Sequence, residues 1–147
     1  MEQTDQKVAV LRRLREMLVR QRDTFGSYLE LLEREEQSIR SGDSNRLVAQ
    51  LEMERSIIAD IFTLKKVIAP LETLYQAAYP ETENTIPRMK ATLEAMNTEV
   101  IAHNARNRAL LRDRMEELRK EMGSLRAWPR DSSPYAEVVP RMVDITT

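Results

Sequence analysis

Few residues of this chain have the types and spacing that chemistry needs. The 147-residue sequence holds one histidine, His103, and no cysteine, which excludes disulfides, thiolate metal sites and cysteine catalysis. Glu99 and His103 stand four residues apart and share a helix face, but a metal site needs at least one further ligand there. The sequence also has no glycine-rich phosphate loop and no strand–turn–helix context for a nucleophile. We therefore expect a protein that is not an enzyme and holds no metal or cofactor.

Two asparagines interrupt an apolar stripe in the last long helical segment. Asn104 and Asn107 occupy positions where the spacing of three and four calls for apolar side chains. A buried polar layer of this kind fixes register or partner choice at some cost in stability. Alternatively, both side chains face water, and the pattern leaves the two interpretations open. The other residues of the stripe are Met89, Leu93, Met96, Val100, Leu111, Met115, Leu118, Met122 and Leu125.

Four of the stripe residues are methionines, whose unbranched, polarizable side chains adapt to irregular partners. They either fill gaps in an ordinary bundle core or line a groove for a partner. Both hold together if the stripe is covered at one end and open at the other.

A seven-residue period predicts a first helix from about Thr4 to Arg40. Such a period implies left-handed supercoiling against a partner helix. The seam consists of Leu11, Leu18, Phe25, Leu32 and Ile39, with Leu14 and Tyr28 on the adjoining seam, which Gln21 and Glu35 interrupt.

A tight turn follows, because Gly42 suits a left-handed cap and Asp43 or Ser44 can cap the next helix. A turn this short predicts an antiparallel hairpin. Pro70 should kink or end the second helix, leaving a short segment to about Ala78. The predicted apolar face of this helix comprises Leu47, Val48, Leu51, Ile57, Ile58, Ile61, Phe62, Leu64 and Ile68.

The third helix is predicted from Thr85, a suitable N-cap, to about Leu125. The expected fold is all-α, an elongated bundle of three long helices made of an antiparallel coiled-coil hairpin plus the third helix. Residues 1–126 would form the helical domain, and the proline-containing residues 127–147 a mobile tail. That tail is either a passive end or a segment that orders on a partner, and its apolar content favours the second: Trp128, Tyr135, Val138, Val139, Met142, Val143 and Ile145.

The charge balance limits the classes of partner. With 23 basic and 24 acidic residues, no strong global field draws the chain to nucleic acid or to an anionic membrane. The polar, acidic N-terminus has no signal-peptide pattern, and no apolar run approaches the ~20 residues that span a bilayer. We expect a cytoplasmic protein with no membrane insertion.

Several motifs resemble the FlgN-type export chaperones of the flagellar type III secretion system. Asn104-x-x-Asn107-x-x-Leu110-Leu111 in a long final helix is similar to that family's pattern. Residues 31–35 (LLERE), followed by residues 41–43 (SGD) and Leu47, resemble its first helix, turn and second helix. Pro134-Tyr135 resembles its C-terminal end. The resemblance covers roughly residues 25–136.

The resemblance implies a cytoplasmic chaperone that binds helical terminal segments of hook–filament junction (hook-associated) proteins. It would prevent their premature assembly and deliver them to the cytoplasmic domain of the export gate, where Tyr135 would dock. The residues of the third-helix stripe and of the apolar tail that we predict to bind the client are Asn104, Asn107, Leu111, Met115, Leu118, Met122, Val138, Val139 and Met142. The alternative is a non-catalytic coiled-coil adaptor that homodimerises along the first-helix heptads, and the sequence leaves the oligomeric state open.

Overall fold

Three helices make up the fold of the residues that the structure describes. The computed structural model describes residues 2–80 and 84–126. Helix α1 spans Glu2–Ser41, α2 spans Ser44–Ala78 and α3 spans Thr85–Arg126, with no strand among the described residues. The predicted all-α class with three long helices is confirmed. The predicted tail, 127–147, lies outside the described residues.

The turn between α1 and α2 follows the predicted chemistry. Gly42 has a φ of 74°, a left-handed conformation that costs glycine little because it has no Cβ. The carboxylate of Asp43 accepts a 3.1 Å hydrogen bond from the Arg46 amide, which satisfies one donor at the start of α2. These caps fold α2 back antiparallel to α1.

The sequence suggested that Pro70 could kink or end α2, but the helix does not end there. The helix continues through it to Ala78. Pro70 and Lys66, four residues before it, are both exposed. The carbonyl that loses its amide partner can therefore bond to water, which lowers the cost of an internal proline.

The chain divides into two units, Met1–Leu111 and Arg112–Thr147, and the first holds two hydrophobic clusters. One joins Leu14 and Leu18 to Ile68 of α2 and Ile86 of α3. The other brings together Phe25, Leu32, Ile61 and Val100. Residue numbers rise together along α1 and α3, so these two helices run parallel and α2 runs opposite to both.

The α1 seam, whose residues recur every seven positions, is mostly buried, as predicted. Leu18, Phe25, Leu32 and Ile39 are all at most 5% exposed, while Leu11 at the start of the seam is half-buried. Each fully buried side chain of this size contributes roughly 1.5–3 kcal/mol. The seam is therefore filled within the single chain.

The predicted apolar face of α2 is wrong in part. Ile61 and Ile68 are buried, and Leu47, Ile57 and Leu64 are half-buried, but four of its members are exposed. The reason is the rotation of the helix, which turns Gln50 and Glu54 towards polar groups of α1. This places a neighbouring flank of α2 in solvent: Val48, Leu51, Ile58 and Phe62.

None of the helices within residues 2–80 and 84–126 contains an apolar stretch that could span a membrane.

Candidate partner-binding surface

The predicted stripe on α3 begins inside the bundle. Val100 is buried in the second hydrophobic cluster, and Met89, Leu93 and Met96 are half-buried against the clusters. Two of the four stripe methionines therefore fill gaps in the core. Further along, Leu111 is half-buried at the end of the first unit.

Asn107 is buried and connects α3 to α1. Its side-chain amide donates a 2.8 Å hydrogen bond to the backbone carbonyl of Leu32, and the residue is 4% exposed. Its Oδ1 is buried with no hydrogen-bond partner among the described residues. Asn104 is half-buried. Asn107 therefore does not face water, and its side-chain amide is bonded to the backbone of α1.

Asn107→Leu is expected to raise the free energy of unfolding by about 1 kcal/mol, because it removes an unpaired buried oxygen. The same change should weaken partner binding or alter the oligomeric state, since a buried polar contact that fixes register is lost. Thermal denaturation measures the change in stability. Light scattering, with and without the partner, measures the change in binding or in oligomeric state.

Asn104→Leu serves as the control, because replacing a half-buried asparagine should change the free energy of unfolding only slightly. If Asn107→Leu lowered the melting temperature instead, the bond to the Leu32 carbonyl would outweigh the unpaired oxygen.

His103 lies against α1. Its Nε2 is 3.8 Å from Oε1 of Glu36, and its side chain is only 14% exposed. The sequence spacing places His103 beside Glu99 on one helix face, whereas the contact of His103 in the structure is to Glu36 of the neighbouring helix. The described residues contain no group of three or more potential metal-ligating side chains.

The C-terminal part of α3, in the second unit, carries its apolar residues in the open. Their side chains are between 48% and 64% exposed, and their spacing of three, four and three residues places them on one helix face. We call this surface the exposed α3 stripe: Met115, Leu118, Met122 and Leu125. It contains three of the predicted client-binding residues, Met115, Leu118 and Met122.

The remaining predicted site residues belong to the C-terminal segment. Tyr135, Val138, Val139 and Met142 lie outside the described residues. Their roles stay predictions.

A partly buried acidic cluster lies between α1 and α2 and was not predicted from the sequence. The Tyr28 hydroxyl donates a 2.7 Å hydrogen bond to Oε1 of Glu54. Glu35 is 3% exposed, and burial together with the neighbouring Glu54 carboxylate raises the pKa of Glu35 to about 8. Burial and the bond to Glu54 also raise the pKa of Tyr28. Glu35 is therefore a neutral carboxylic acid near neutral pH.

Two further polar pairs join the same helices. The Ser38 hydroxyl donates to the side-chain carbonyl of Gln50 at 2.8 Å, and Gln21 donates to the Ile61 backbone carbonyl at 3.3 Å. A signal for this layer was present in the sequence, since Gln21 and Glu35 interrupt the adjoining seam of α1 at core positions. Polar residues at such positions often set helix register.

A comparison with known proteins finds a relative of this chain. The chain is 32% identical over 127 residues to a Treponema pallidum (strain Nichols) protein whose description is "Uncharacterized protein". The match covers 86% of this chain and 81% of that protein. No family model matches the chain, and no solved structure matches it.

Proposed function

This chain belongs to one family with the Treponema pallidum protein, and we propose that it is a cytoplasmic export chaperone of the flagellar type III system. In this role it holds a helical terminal segment of a hook–filament junction protein until the segment reaches the export gate. The proposal joins the FlgN-type resemblance to one structural observation. That observation is the exposed α3 stripe, an apolar helical face that none of the described residues covers.

The stripe has the pattern that helix-in-groove recognition uses. Apolar anchors at spacings of three and four contact an amphipathic partner through one continuous face. Two of its four residues, Met115 and Met122, are methionines, which repack against partners of different shape. Covering the apolar face of a client segment in this way keeps the segment from assembling or aggregating too early.

Holding a client requires no chemistry. A protein that binds one state of its client shifts the equilibrium towards that state in proportion to concentration and affinity. The proposed role therefore needs no catalytic residue, nucleotide or metal. It needs a stable scaffold, which the two hydrophobic clusters of the first unit supply.

The competing proposal of a homodimer along the α1 heptads loses support. That dimer needs an apolar α1 seam facing outward, but Leu18, Phe25 and Leu32 pack against α2 and α3 of the same chain. A dimer on this seam would require the bundle to open. An adaptor role through another surface stays the second candidate.

Mixing the purified full chain with the junction proteins of the same genome tests the proposal. We expect a stable complex by size-exclusion chromatography with light scattering, lost when the terminal helical segment of the client is removed. Tyr135→Ala should leave client binding intact but weaken binding to the cytoplasmic domain of the export gate, because a tyrosine supplies a large apolar contact with one directed hydroxyl.

Two results would count against this function. Failure of every junction protein to bind would remove the client role. If Tyr135→Ala and deletion of residues 127–147 both left gate affinity unchanged, docking through the C-terminal segment would be wrong.

A further inference from the structure

The charges beside the exposed α3 stripe are mostly positive. Each residue turns about 100° around a helix axis, so Arg112 and Arg119 border the stripe on one side. Arg114 and Glu121 border it on the other. Three arginines and one glutamate therefore frame the apolar face, although the whole chain has a net charge of −1.

Glu116 and Glu117, by contrast, lie on the far side of the helix from the stripe. Glu117 is 3.3 Å from Arg114, and Glu116 is 3.9 Å from Arg119. All four of these side chains are at least 42% exposed, and such i, i+3 pairs contribute little in water. The arginines can therefore exchange these partners for carboxylates on a bound helix at small cost.

A second copy of the chain fits this frame poorly. If two stripes paired in parallel, Arg114 of one copy would face Arg119 of the other, by the flanking-position rule of coiled coils. Antiparallel pairing would place Arg112 and Arg119 of both copies along one shared edge. Like charges facing one another act against association.

We propose that the exposed α3 stripe takes an amphipathic helix whose apolar face is bordered by acidic residues. This inference rests on the proposed function and specifies the chemistry of the client segment. Carboxylates on the bound helix meet the arginine frame while its apolar side chains cover the methionines and leucines. These flanking charges favour a helix with acidic borders over other helices of equal hydrophobicity, because charge complementarity governs specificity and encounter rate.

Three synthetic helical peptides of about 20 residues test the inference on the full chain. They share one apolar face and carry glutamate, glutamine or lysine at the positions that border it. The glutamate peptide should bind about tenfold more tightly than the glutamine peptide, a factor that two or three exposed ion pairs supply together. The lysine peptide should bind most weakly. Salt at about 0.5 M should compress the differences, since it screens exposed charges.

The double variant Arg112→Glu/Arg119→Glu should reverse the order of the three peptides. Arg12→Glu/Arg15→Glu makes the same change of charge on exposed residues of α1 and should leave the order unchanged. Equal affinities for the three peptides would overturn the inference while leaving the proposed chaperone role in place. That role is tested separately with the junction proteins. A dimer of the chain that Met115→Asp dissociates would also overturn it, because the occupant would then be a second copy.

Discussion

Met115→Asp and Leu118→Asp should each weaken client binding by about a hundredfold while the helical circular dichroism signal and the melting temperature stay close to wild type. Both side chains are roughly half exposed in the free chain, so a carboxylate at either position remains hydrated. In the complex the same carboxylate would be buried against an apolar face without a partner, which costs several kcal/mol. Isothermal titration and thermal denaturation of the same preparations measure the two quantities.

Three further variants show whether that effect is specific to the exposed α3 stripe. Leu32→Asp places the charge in a position that is 0% exposed, and we expect it to unfold the bundle. Phe62 is 59% exposed on the flank of α2. We expect Phe62→Asp to alter neither stability nor client binding. Leu111→Asp, at a half-buried position, should reduce both. If Met115→Asp bound the client as tightly as wild type, the exposed α3 stripe would not be the binding face.

The hairpin could be predicted from the sequence because its signals are local. The seven-residue period of α1 identifies Leu18, Phe25 and Leu32 as core without knowledge of the partner helix. The left-handed glycine at 42 and the cap at Asp43 likewise depend on a few neighbouring residues. Such features follow from backbone and capping preferences that each segment carries by itself.

The rotation of α2 could not be predicted, because this helix is apolar on more than one side. Its pattern allows the flank with Leu51 and Phe62 to face α1 as readily as the line with Ile61 and Ile68. The bond from Ser38 to Gln50 distinguishes the two, and it joins residues on different helices. Periodicity along one helix carries no information about such a pair.

The two halves of the α3 stripe illustrate the same limit. Val100 and Met115 are equivalent in the sequence pattern, yet Val100 is buried and Met115 is exposed. Burial depends on which other elements cover a face, and spacing along α3 does not encode that. The state of Asn107 was open for the same reason, since its partner is a backbone carbonyl 75 residues away in the chain.

The buried carboxyl group of Glu35 should make the folded chain less stable as the pH rises towards 8. In the folded protein this group keeps its proton up to a pKa of about 8, whereas its ordinary value is 4.5. Between these values the folded state binds more protons than the unfolded state, so the free energy of unfolding falls with rising pH and levels off above the upper value. From about pH 6 to about pH 8 the loss should be about 2 kcal/mol. Urea denaturation at a series of pH values measures it.

Glu35→Gln should remove this pH dependence, because an amide stays neutral and keeps nearly the same shape beside Glu54. The variant should therefore be more stable than wild type at pH 8 and closer to it at pH 5. Glu33→Gln, two residues away on α1 and exposed, removes the same formal charge without a buried group and should leave the wild-type slope unchanged. Burial of an acid with a second carboxylate at its side favours the protonated form in the folded state alone. A Glu35→Gln curve parallel to the wild-type curve would mean that Glu35 is ionised in the folded chain, with a counter-charge stronger than its desolvation.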